Sequence, residues 1–286
     1  MAEIIDGKLV STVLKEEIAT EVASFKEKFG KAPGLAVIMV GNNPASAVYV
    51  RNKHKACAAV GMVSYEYNMP EETTEEELLE KIKELNESSE VNGILVQLPL
   101  PKHISEERII NSISPEKDVD AFHPMNTGRI FIGNYDFLPC TPAGVMELLK
   151  YYNVDISGKE CVVLGRSNIV GKPMAHLLLG ANGTVTVCHS RTKDLKEITK
   201  RADILVVAIG RANFVTEDMV KEGAVVVDVG INRLDDGKLC GDVDFAAVEK
   251  KASKITPVPG GVGPMTITVL LKNTLTAAKR QNEKQA

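Results

Sequence analysis

The chain has 286 residues, of which 44% are hydrophobic and 25% are charged, and its formal net charge is −4. These values are typical of a globular protein that is long enough for two domains. The small negative charge, without a basic stripe, gives no electrostatic footprint for nucleic acid. No apolar run approaches the roughly 20 residues of a transmembrane helix, and the first six residues lack the basic and apolar regions of a secretory signal.

The cysteines and histidines form no pattern of a metal site or a disulfide framework. The five cysteines are scattered and include no C-x-x-C pair, and the five histidines share no ligand spacing. Cys161 and Cys188 lie in predicted strands, where cysteine behaves as a small apolar residue. We therefore expect a reduced, cytoplasmic protein without a bound metal.

The first half of the chain alternates helices and strands. Apolar residues at three-to-four spacing predict a helix from Asp6 to Gly30, and a continuous apolar run predicts a buried strand at residues 35–40. The further elements predicted here are a helix at 45–60, a strand at 64–69, a helix from the Thr74–Glu77 capping box to Leu85, and a strand at 93–98. This alternation is typical of a parallel α/β sheet.

A polar, proline-punctuated passage at residues 114–142 interrupts the alternation. We place a domain boundary near Thr141, with a helix at 142–151 joining the two halves. The elements predicted in the second half are strands at 161–164, 184–188, 204–208, 224–229 and 254–258, and a closing helix at 265–279.

The most informative stretch is residues 161–173 (CVVLGRSNIVGKP). A buried strand runs into a turn at residues 165–167, and a helical pattern follows at 169–179. Such a turn places backbone N–H groups and a helix N-terminus where a dinucleotide pyrophosphate can bind. The sequence departs from G-x-G-x-x-G, because Arg166, Ser167 and Asn168 stand around the position of the middle glycine. An ordinary strand–helix turn therefore remains the alternative.

The end of the next strand bears on the choice of nucleotide. In an NAD-binding fold this position usually carries an acid that binds the ribose 2′-OH. Here the strand is followed by His189, Ser190 and Arg191. A carboxylate would repel a 2′-phosphate, whereas Ser190, Arg191 and the nearby Arg166 would bind it. The pattern favours NADP, and the alternative is a solvated loop arginine.

Three polar positions in the first half are candidates for chemistry. Tyr49 and Lys53 are four residues apart, so one helix face carries both as a possible acid/base pair, although an exposed Tyr–Lys contact is the simpler interpretation. The same spacing occurs in short-chain dehydrogenases, but there it follows the glycine turn. Gln97 ends an apolar strand, where ligands gather in α/β sheets. It serves either as a satisfied core amide or in function. Asp118 and Asp120 lie in a loop, where acids are usually solvated.

Residues 259–264 (PGGVGP) lie between a predicted strand and the last helix. Their glycines permit positive φ and a close approach of the backbone to a ligand such as a carboxylate, a phosphate or a nicotinamide amide. The alternative is a tight strand–helix connection.

Five motifs in one order resemble a known family. They are residues 49–53 (YVRNK), 93–101 (GILVQLPLP), 117–120 (KDVD), 165–173 (GRSNIVGKP) and 259–266 (PGGVGPMT). Together they resemble the bifunctional methylenetetrahydrofolate dehydrogenase–methenyltetrahydrofolate cyclohydrolases. The match covers almost the whole chain, with no departure at the motif positions.

The resemblance implies an α/β fold of two domains that flank a cleft. It implies a folate-binding catalytic domain at residues 1–141 plus about 266–286, to which the last helix returns, and a Rossmann-type NADP-binding domain at 142–265. It also implies a homodimer formed through the nucleotide domains, with tetrahydrofolate one-carbon derivatives as substrates.

The resemblance also assigns roles to individual residues. Lys53 would be the catalytic residue with Gln97 as its partner, Tyr49 would stack near the folate, and Asp120 would hold the pterin amino groups. The NADP site would be lined by Gly165, Arg166, Ser167, Ser190, Arg191 and Ile231, and the folate would be bordered by Gly260, Gly261 and Gly263.

The residue types suit the two reactions that the resemblance implies. Transfer of a hydride to NADP⁺ needs alignment rather than a strong base. Water then attacks the methenyl cation, and a lysine that is partly neutral beside this cation could relay the protons. The alternatives are an NADP-dependent dehydrogenase of a small polar acid, as in shikimate-type enzymes, which leaves Gln97 and residues 259–264 unexplained, and a non-catalytic dinucleotide sensor.

Overall fold

The computed structural model describes residues 1–284, and of residues 44 and 45 only the backbone. The chain divides into two compact units. The six-stranded unit comprises Met1–Thr12 and Pro139–Thr266, and the three-stranded unit comprises Val13–Leu138 and the chain from Ile267 onward. No helix in the described part of the chain is both long and apolar enough to cross a membrane.

The regular elements alternate along most of the chain, as the sequence predicts. In chain order they are β1 (Glu3–Ile4), α1 (Gly7–Phe29), β2 (Gly34–Val40), α2 (Pro44–Val60), β3 (Val63–Met69), α3 (Glu75–Glu87), β4 (Gly93–Val96), α4 (Glu106–Ser112), α5 (Pro124–Phe131), α6 (Cys140–Tyr151), β5 (Glu160–Leu164), α7 (Gly171–Gly180), β6 (Thr184–Cys188), α8 (Leu195–Thr199), β7 (Ile204–Val207), a 3-10 turn (Glu217–Met219), β8 (Val225–Asp228), β9 (Asn232–Arg233), β10 (Leu239–Cys240), α9 (Phe245–Val248), β11 (Lys254–Ile255) and α10 (Val262–Glu283).

The three-stranded unit is built on a parallel sheet of order β3-β2-β4. β2 is central and buried along its whole length, which explains its unbroken apolar run. Leu78, Ile82 and Leu85 of α3 are buried with the sheet residues in one core. The predicted capping box of α3 is confirmed, because Thr74 Oγ1 accepts from the Glu77 N–H and the Glu77 carboxylate accepts from the Thr74 N–H.

The six-stranded unit contains a parallel sheet of order β1-β11-β8-β7-β5-β6. β6 lies on one side of β5, and β7 lies on the other. The strand order therefore reverses between β5 and β7, which is the topological switch point where doubly wound sheets bind their ligands. The carboxyl ends of these two strands are Leu164 and Val207, and both residues are buried. The predicted parallel, Rossmann-type architecture is confirmed.

Each end of the chain belongs to the unit that is built mainly from the other half of the sequence. β1 pairs with β11, so residues 1–12 belong to the six-stranded unit, whereas the sequence grouped them with the first domain. The last helix joins the three-stranded unit, as predicted, where Asn273 Nδ2 donates to the Val119 and Leu138 carbonyls at 2.8 and 2.9 Å.

Candidate active site

The α2 helix brings Lys53 to Gln97 in the three-stranded unit. The Lys53 Nζ donates to Gln97 Oε1 at 2.8 Å, and Lys53 is only 8% exposed. Gln97 follows directly after β4, where its N–H donates to the Ile38 carbonyl and its Nε2 donates to the Leu98 carbonyl at 2.7 Å. The main-chain N–H and the side-chain Nε2 of Gln97 thus both donate to backbone carbonyls, and Oε1 accepts from the lysine amine. The structure brings these two predicted residues together.

The other residues on this face of α2 lie one turn away on each side. Tyr49 precedes Lys53 by one turn and is 38% exposed, so its ring is accessible to a ligand. Cys57 follows by one turn and is fully buried. Burial raises the pKa of the Cys57 thiol to about 12, which keeps it neutral and unsuited to nucleophilic chemistry. Lys53 is buried, so the interpretation of this pair as an ordinary surface contact does not hold for the lysine.

The loop that carries Asp120 runs alongside β4. Asp118 forms a parallel bridge with Ile94, and the Ile94 N–H donates to the Lys117 carbonyl. Because β4 ends immediately before Gln97, this loop passes the same edge of the sheet. Asp120 is half-buried and is followed by Ala121 with φ of +57°. The pairing at Ile94 places this loop beside the strand that leads to Gln97.

Asp118 is buried, and the expectation of a solvated acid is wrong at this position. Its carboxylate accepts from the N–H groups of Phe122 and His123 at 3.3 and 2.8 Å, and from Asn126 Nδ2 at 2.8 Å. Burial raises the pKa of Asp118, and the hydrogen bonds from Asn126 and His123 oppose this shift. Asp118 therefore organises the loop around Asp120 and the start of α5.

Lys117 is also buried, but it takes no acidic partner in its hydrogen bonds. Its Nζ donates to the carbonyls of Leu85 and Ser88 at the carboxyl end of α3, at 2.9 and 2.6 Å. A cation is favourable there because the helix dipole is negative at this end. Burial lowers the pKa of Lys117 to about 8. The role of Lys117 in the structure is to cap a helix.

The turn after β5 is closed by two glycines at the switch point. Gly165 has φ of +129°, and a Cβ on it would lie 2.2 Å from the Ala208 carbonyl oxygen. A Cβ on Gly171, the first residue of α7, would lie 2.3 Å from the Gly165 oxygen. Ser167 Oγ accepts from the N–H groups of Val170 and Gly171 at 3.1 and 3.3 Å. We call this turn the backbone cradle, because neither glycine position has room for a side chain. Bare backbone at this turn suits the close approach of a pyrophosphate.

The next loop lies beside this turn. Leu164 pairs with Cys188, and the Gly165 N–H donates to the Cys188 carbonyl at 2.9 Å. The residues that follow both strands therefore emerge together at one edge. Arg166, Ser190 and Arg191 are all exposed there. These residues present two guanidinium groups and a hydroxyl, and residues 189–192 contain no acid.

Ile231 and the glycines of residues 259–264 lie near each other in the six-stranded unit. The Ile231 side chain is 45% exposed, and a Cβ on Gly263 would lie 3.8 Å from its Cδ1. Gly260 has φ of +112°. A Cβ on Gly7, at the start of α1, would lie 1.7 Å from the Gly261 oxygen. Gly7 therefore packs directly against this loop. The sequence indicates Gly7 only as part of the Asp6-Gly7 pair before a helix.

The described residues contain no group of three or more His, Cys, Asp or Glu side chains that could hold a metal ion.

The sequence interpretation missed two buried acids in the six-stranded unit, Asp228 and Asp242. Asp228 lies within the predicted strand at 224–229, and Asp242 follows Gly241.

Comparison with known proteins identifies the family. The sequence model described as tetrahydrofolate dehydrogenase/cyclohydrolase, catalytic domain, matches residues 5–120, and that of the NAD(P)-binding domain of the same family matches residues 139–282. The bifunctional protein FolD of Acetivibrio thermocellus is 63% identical over 280 residues, which are 98% of each chain.

Solved structures agree with this match. The FolD methylenetetrahydrofolate dehydrogenase/cyclohydrolase of Campylobacter jejuni is 54% identical with a TM-score of 0.96, over 98% of this chain and 100% of that one. The FolD of Trypanosoma brucei, in complex with NADP cofactor and an inhibitor, is 43% identical with a TM-score of 0.95, over 98% of each chain. The predicted class of enzyme, a dehydrogenase that is also a cyclohydrolase and uses NADP, is confirmed. The chain belongs to the tetrahydrofolate dehydrogenase/cyclohydrolase family.

Proposed function

We propose that the chain oxidises 5,10-methylenetetrahydrofolate with NADP⁺ and then hydrolyses the methenyl product to 10-formyltetrahydrofolate, with Lys53 serving the hydrolysis. The observation that carries this proposal is the contact of 2.8 Å between Nζ of the buried Lys53 and Gln97 Oε1. A buried amine with an oriented neutral partner is suited to proton transfer at a cationic substrate.

The partner of Lys53 decides what the amine can do. A carboxylate at this position would stabilise the ammonium form, because an opposite charge within a few ångströms favours the charged state. The Gln97 amide accepts a hydrogen bond and adds no charge of its own, so it orients the amine. During hydrolysis Lys53 would receive one proton from the attacking water and give it to the folate nitrogen whose bond to the one-carbon unit breaks. The second proton of the water would leave to solvent as the formyl C=O forms.

Oxidation of the methylene group makes a different demand on the protein. Bound NADP⁺ supplies the hydride acceptor, and the chain has to align it with the folate. The backbone cradle formed by Gly165 and Gly171 supports a pyrophosphate site at the switch point. We expect Ser167 to shape this turn, and Ile231 to line the nucleotide site.

The choice of NADP over NAD rests on the turn after β5 and the loop after β6. The exposed Arg166, Ser190 and Arg191 offer charge-assisted hydrogen bonds to a 2′-phosphate. The ribose-binding acid of NAD-specific folds is absent from residues 189–192. The selectivity should therefore come from the two guanidinium groups.

The remaining roles concern the folate and rest on the family resemblance. Tyr49, whose ring is accessible, would stack on the folate, and Asp120 would bind the pterin amino groups. Gly260, Gly261 and Gly263 would border the substrate with backbone atoms. The resemblance also supports a homodimer formed through the nucleotide domains, and a cytoplasmic enzyme of one-carbon metabolism.

An absorbance assay tests the proposed function. Purified protein is mixed with 5,10-methylenetetrahydrofolate and either NADP⁺ or NAD⁺, and the reduced nucleotide and the methenyl compound are followed together. We expect reduced nucleotide with NADP⁺, and a transient methenyl signal that decays faster than in buffer. A persistent methenyl signal would remove the hydrolytic role of Lys53, and the absence of turnover with both nucleotides would refute the proposed function.

A further inference from the structure

Two buried carboxylates lie below the carboxyl edge of the six-stranded sheet. Asp242 is fully buried, and its carboxylate accepts from the successive N–H groups of Ile209, Gly210 and Arg211 at 2.7, 2.9 and 2.8 Å. It also accepts from Asn232 Nδ2 at 2.9 Å. The loop after β7 therefore closes around a carboxylate of the chain itself.

Asp228, the last residue of β8, supports the same region from the other side. Its carboxylate accepts from the N–H groups of Gly230, Asp242 and Val243 at 2.9, 3.0 and 2.9 Å. The two acids are thus linked, because the backbone of Asp242 binds the side chain of Asp228. Together they tie the loops after β7 and β8 to the segment after β10.

Two glycines make room for these carboxylates. A Cβ on Gly230 would lie 2.2 Å from Asp242 Cγ, and a Cβ on Gly241 would lie 1.9 Å from Asp228 Oδ2. Neither position can carry a side chain unless an acid moves. The close fit shows that both carboxylates have defined positions within the loops.

The location of the acids relates them to the nucleotide. Val207 of β7 pairs with Asp228 of β8, and the residue after Val207, Ala208, contacts Gly165 at the switch point. In the proposed function the 2′-phosphate end of NADP lies beside β6. A dinucleotide that crosses the switch point from there has its nicotinamide half over β7 and β8. The loops held by the two acids are the loops on that side.

Ile231 is the residue that these contacts place most directly. Gly230, before it, is anchored to Asp228, and Asn232, after it, is anchored to Asp242. The Ile231 side chain itself is 45% exposed. We propose that Asp228 and Asp242 are positioning residues that hold Ile231 and the loop at residues 209–211 in the conformation that receives the nicotinamide half of NADP. This inference rests on the proposed NADP site.

The first test compares two neighbouring aspartates. Asp242→Asn replaces one acceptor oxygen with an NH₂ group, a donor that would face the donor N–H groups of the loop. Asp244→Asn is the matched control, because the Asp244 carboxylate accepts from the Ala247 N–H as the cap of α9. Titration with NADPH, followed by its fluorescence, should give a Kd raised roughly 10- to 100-fold in Asp242→Asn, as expected for disrupted buried bonds to a charged group. Asp244→Asn should bind like the wild type.

A double-mutant cycle separates positioning from a general loss of stability. Ile231→Ala removes the side chain that Asp242 is proposed to place, so the losses in NADPH affinity should combine to less than their product in the double variant. Independent losses that multiply, or an unchanged Kd with only a lower melting temperature for Asp242→Asn, would overturn the inference.

Hydrolysis of preformed methenyltetrahydrofolate supplies a readout that needs no nucleotide. Asp242→Asn should retain the wild-type rate in this reaction while its KM for NADP⁺ rises in the dehydrogenase reaction. If hydrolysis fails in the variant as well, the acids serve the whole fold and the inference is wrong. If the wild type itself fails in both reactions, the proposed function is wrong instead.

Discussion

Substitution of Gly165 by alanine should damage both the fold and the nucleotide site. The backbone at φ of +129° is disfavoured for an L-residue, and the new Cβ would lie 2.2 Å from the Ala208 oxygen at the end of β7. Backbone strain of about 1–3 kcal/mol and overpacking of about 1–3 kcal/mol together predict a loss of about 2–6 kcal/mol in the free energy of unfolding. The Ala208 carbonyl must move, so the pyrophosphate cradle widens and the Kd for NADPH should rise at least about tenfold.

Gly158→Ala is the matched control for this prediction. Gly158 lies in the turn before β5 with φ of +72°, and a Cβ there would meet no atom within 4 Å. Gly158→Ala should lower the free energy of unfolding only through backbone strain, by about 1–2 kcal/mol, and should bind NADPH like the wild type. Urea denaturation followed by circular dichroism and titration with NADPH measure the two effects. If both glycine variants unfold at the same urea concentration and bind NADPH equally, the account of the switch point is refuted.

Four further predictions concern other residues. Arg166→Ala and Arg191→Ala should each lower kcat/KM for NADP⁺ about 10- to 100-fold, because a hydrogen bond to a charged group contributes about 1.5–3 kcal/mol. Both variants should change kcat/KM for NAD⁺ little. Equal losses with both nucleotides in steady-state kinetics would contradict this prediction. Burial lowers the pKa of Lys117 from 10.5 to about 8, so between these values the folded protein binds fewer protons than the unfolded chain. The free energy of unfolding of the wild type should therefore rise relative to Lys117→Met from pH 7.5 to pH 10 in urea denaturation, and a constant difference would refute the assignment. Asp118→Ala leaves buried N–H groups without an acceptor and should cost about 1–3 kcal/mol of stability. Asp120→Ala should instead raise the KM for the folate without changing the urea midpoint, and a lower midpoint with an unchanged KM would assign Asp120 to the fold.

Local patterns were sufficient for the long elements and for the nucleotide loop. The apolar run of β2 and the Thr74–Glu77 capping box each depend on residues close in sequence. The cradle at Gly165 was also visible, because a strand, a glycine turn and a helix follow one another directly.

Features that depend on distant residues were not visible in the sequence. β1 is two residues long and exists through its pairing with β11, some 250 positions away. α5 lies in a passage that is rich in proline and polar residues, where Pro124 at its start and the His123 cap give a short helix without a clear apolar period.

The buried acids show the same limit at the level of the site. Asp242 accepts from N–H groups of the loop after β7, and Asp228 accepts from Val243, so the partners of both acids are distant in sequence. Asp118 is satisfied within its own loop, by the N–H groups of Phe122 and His123 and by Asn126, which carry no recognised motif. The pairing of Lys53 with Gln97, 44 positions apart, was expected only from the family resemblance.

The rate of hydrolysis of preformed methenyltetrahydrofolate in Lys53→Gln tests the central claim most directly. Lys55→Gln is the control, since Lys55 is an exposed lysine on the same helix. Loss of a general acid–base group predicts a fall of about 10²- to 10⁴-fold for Lys53→Gln and a wild-type rate for Lys55→Gln. Hydrolysis near the wild-type rate in Lys53→Gln would contradict the assignment of Lys53 as the residue that transfers the protons.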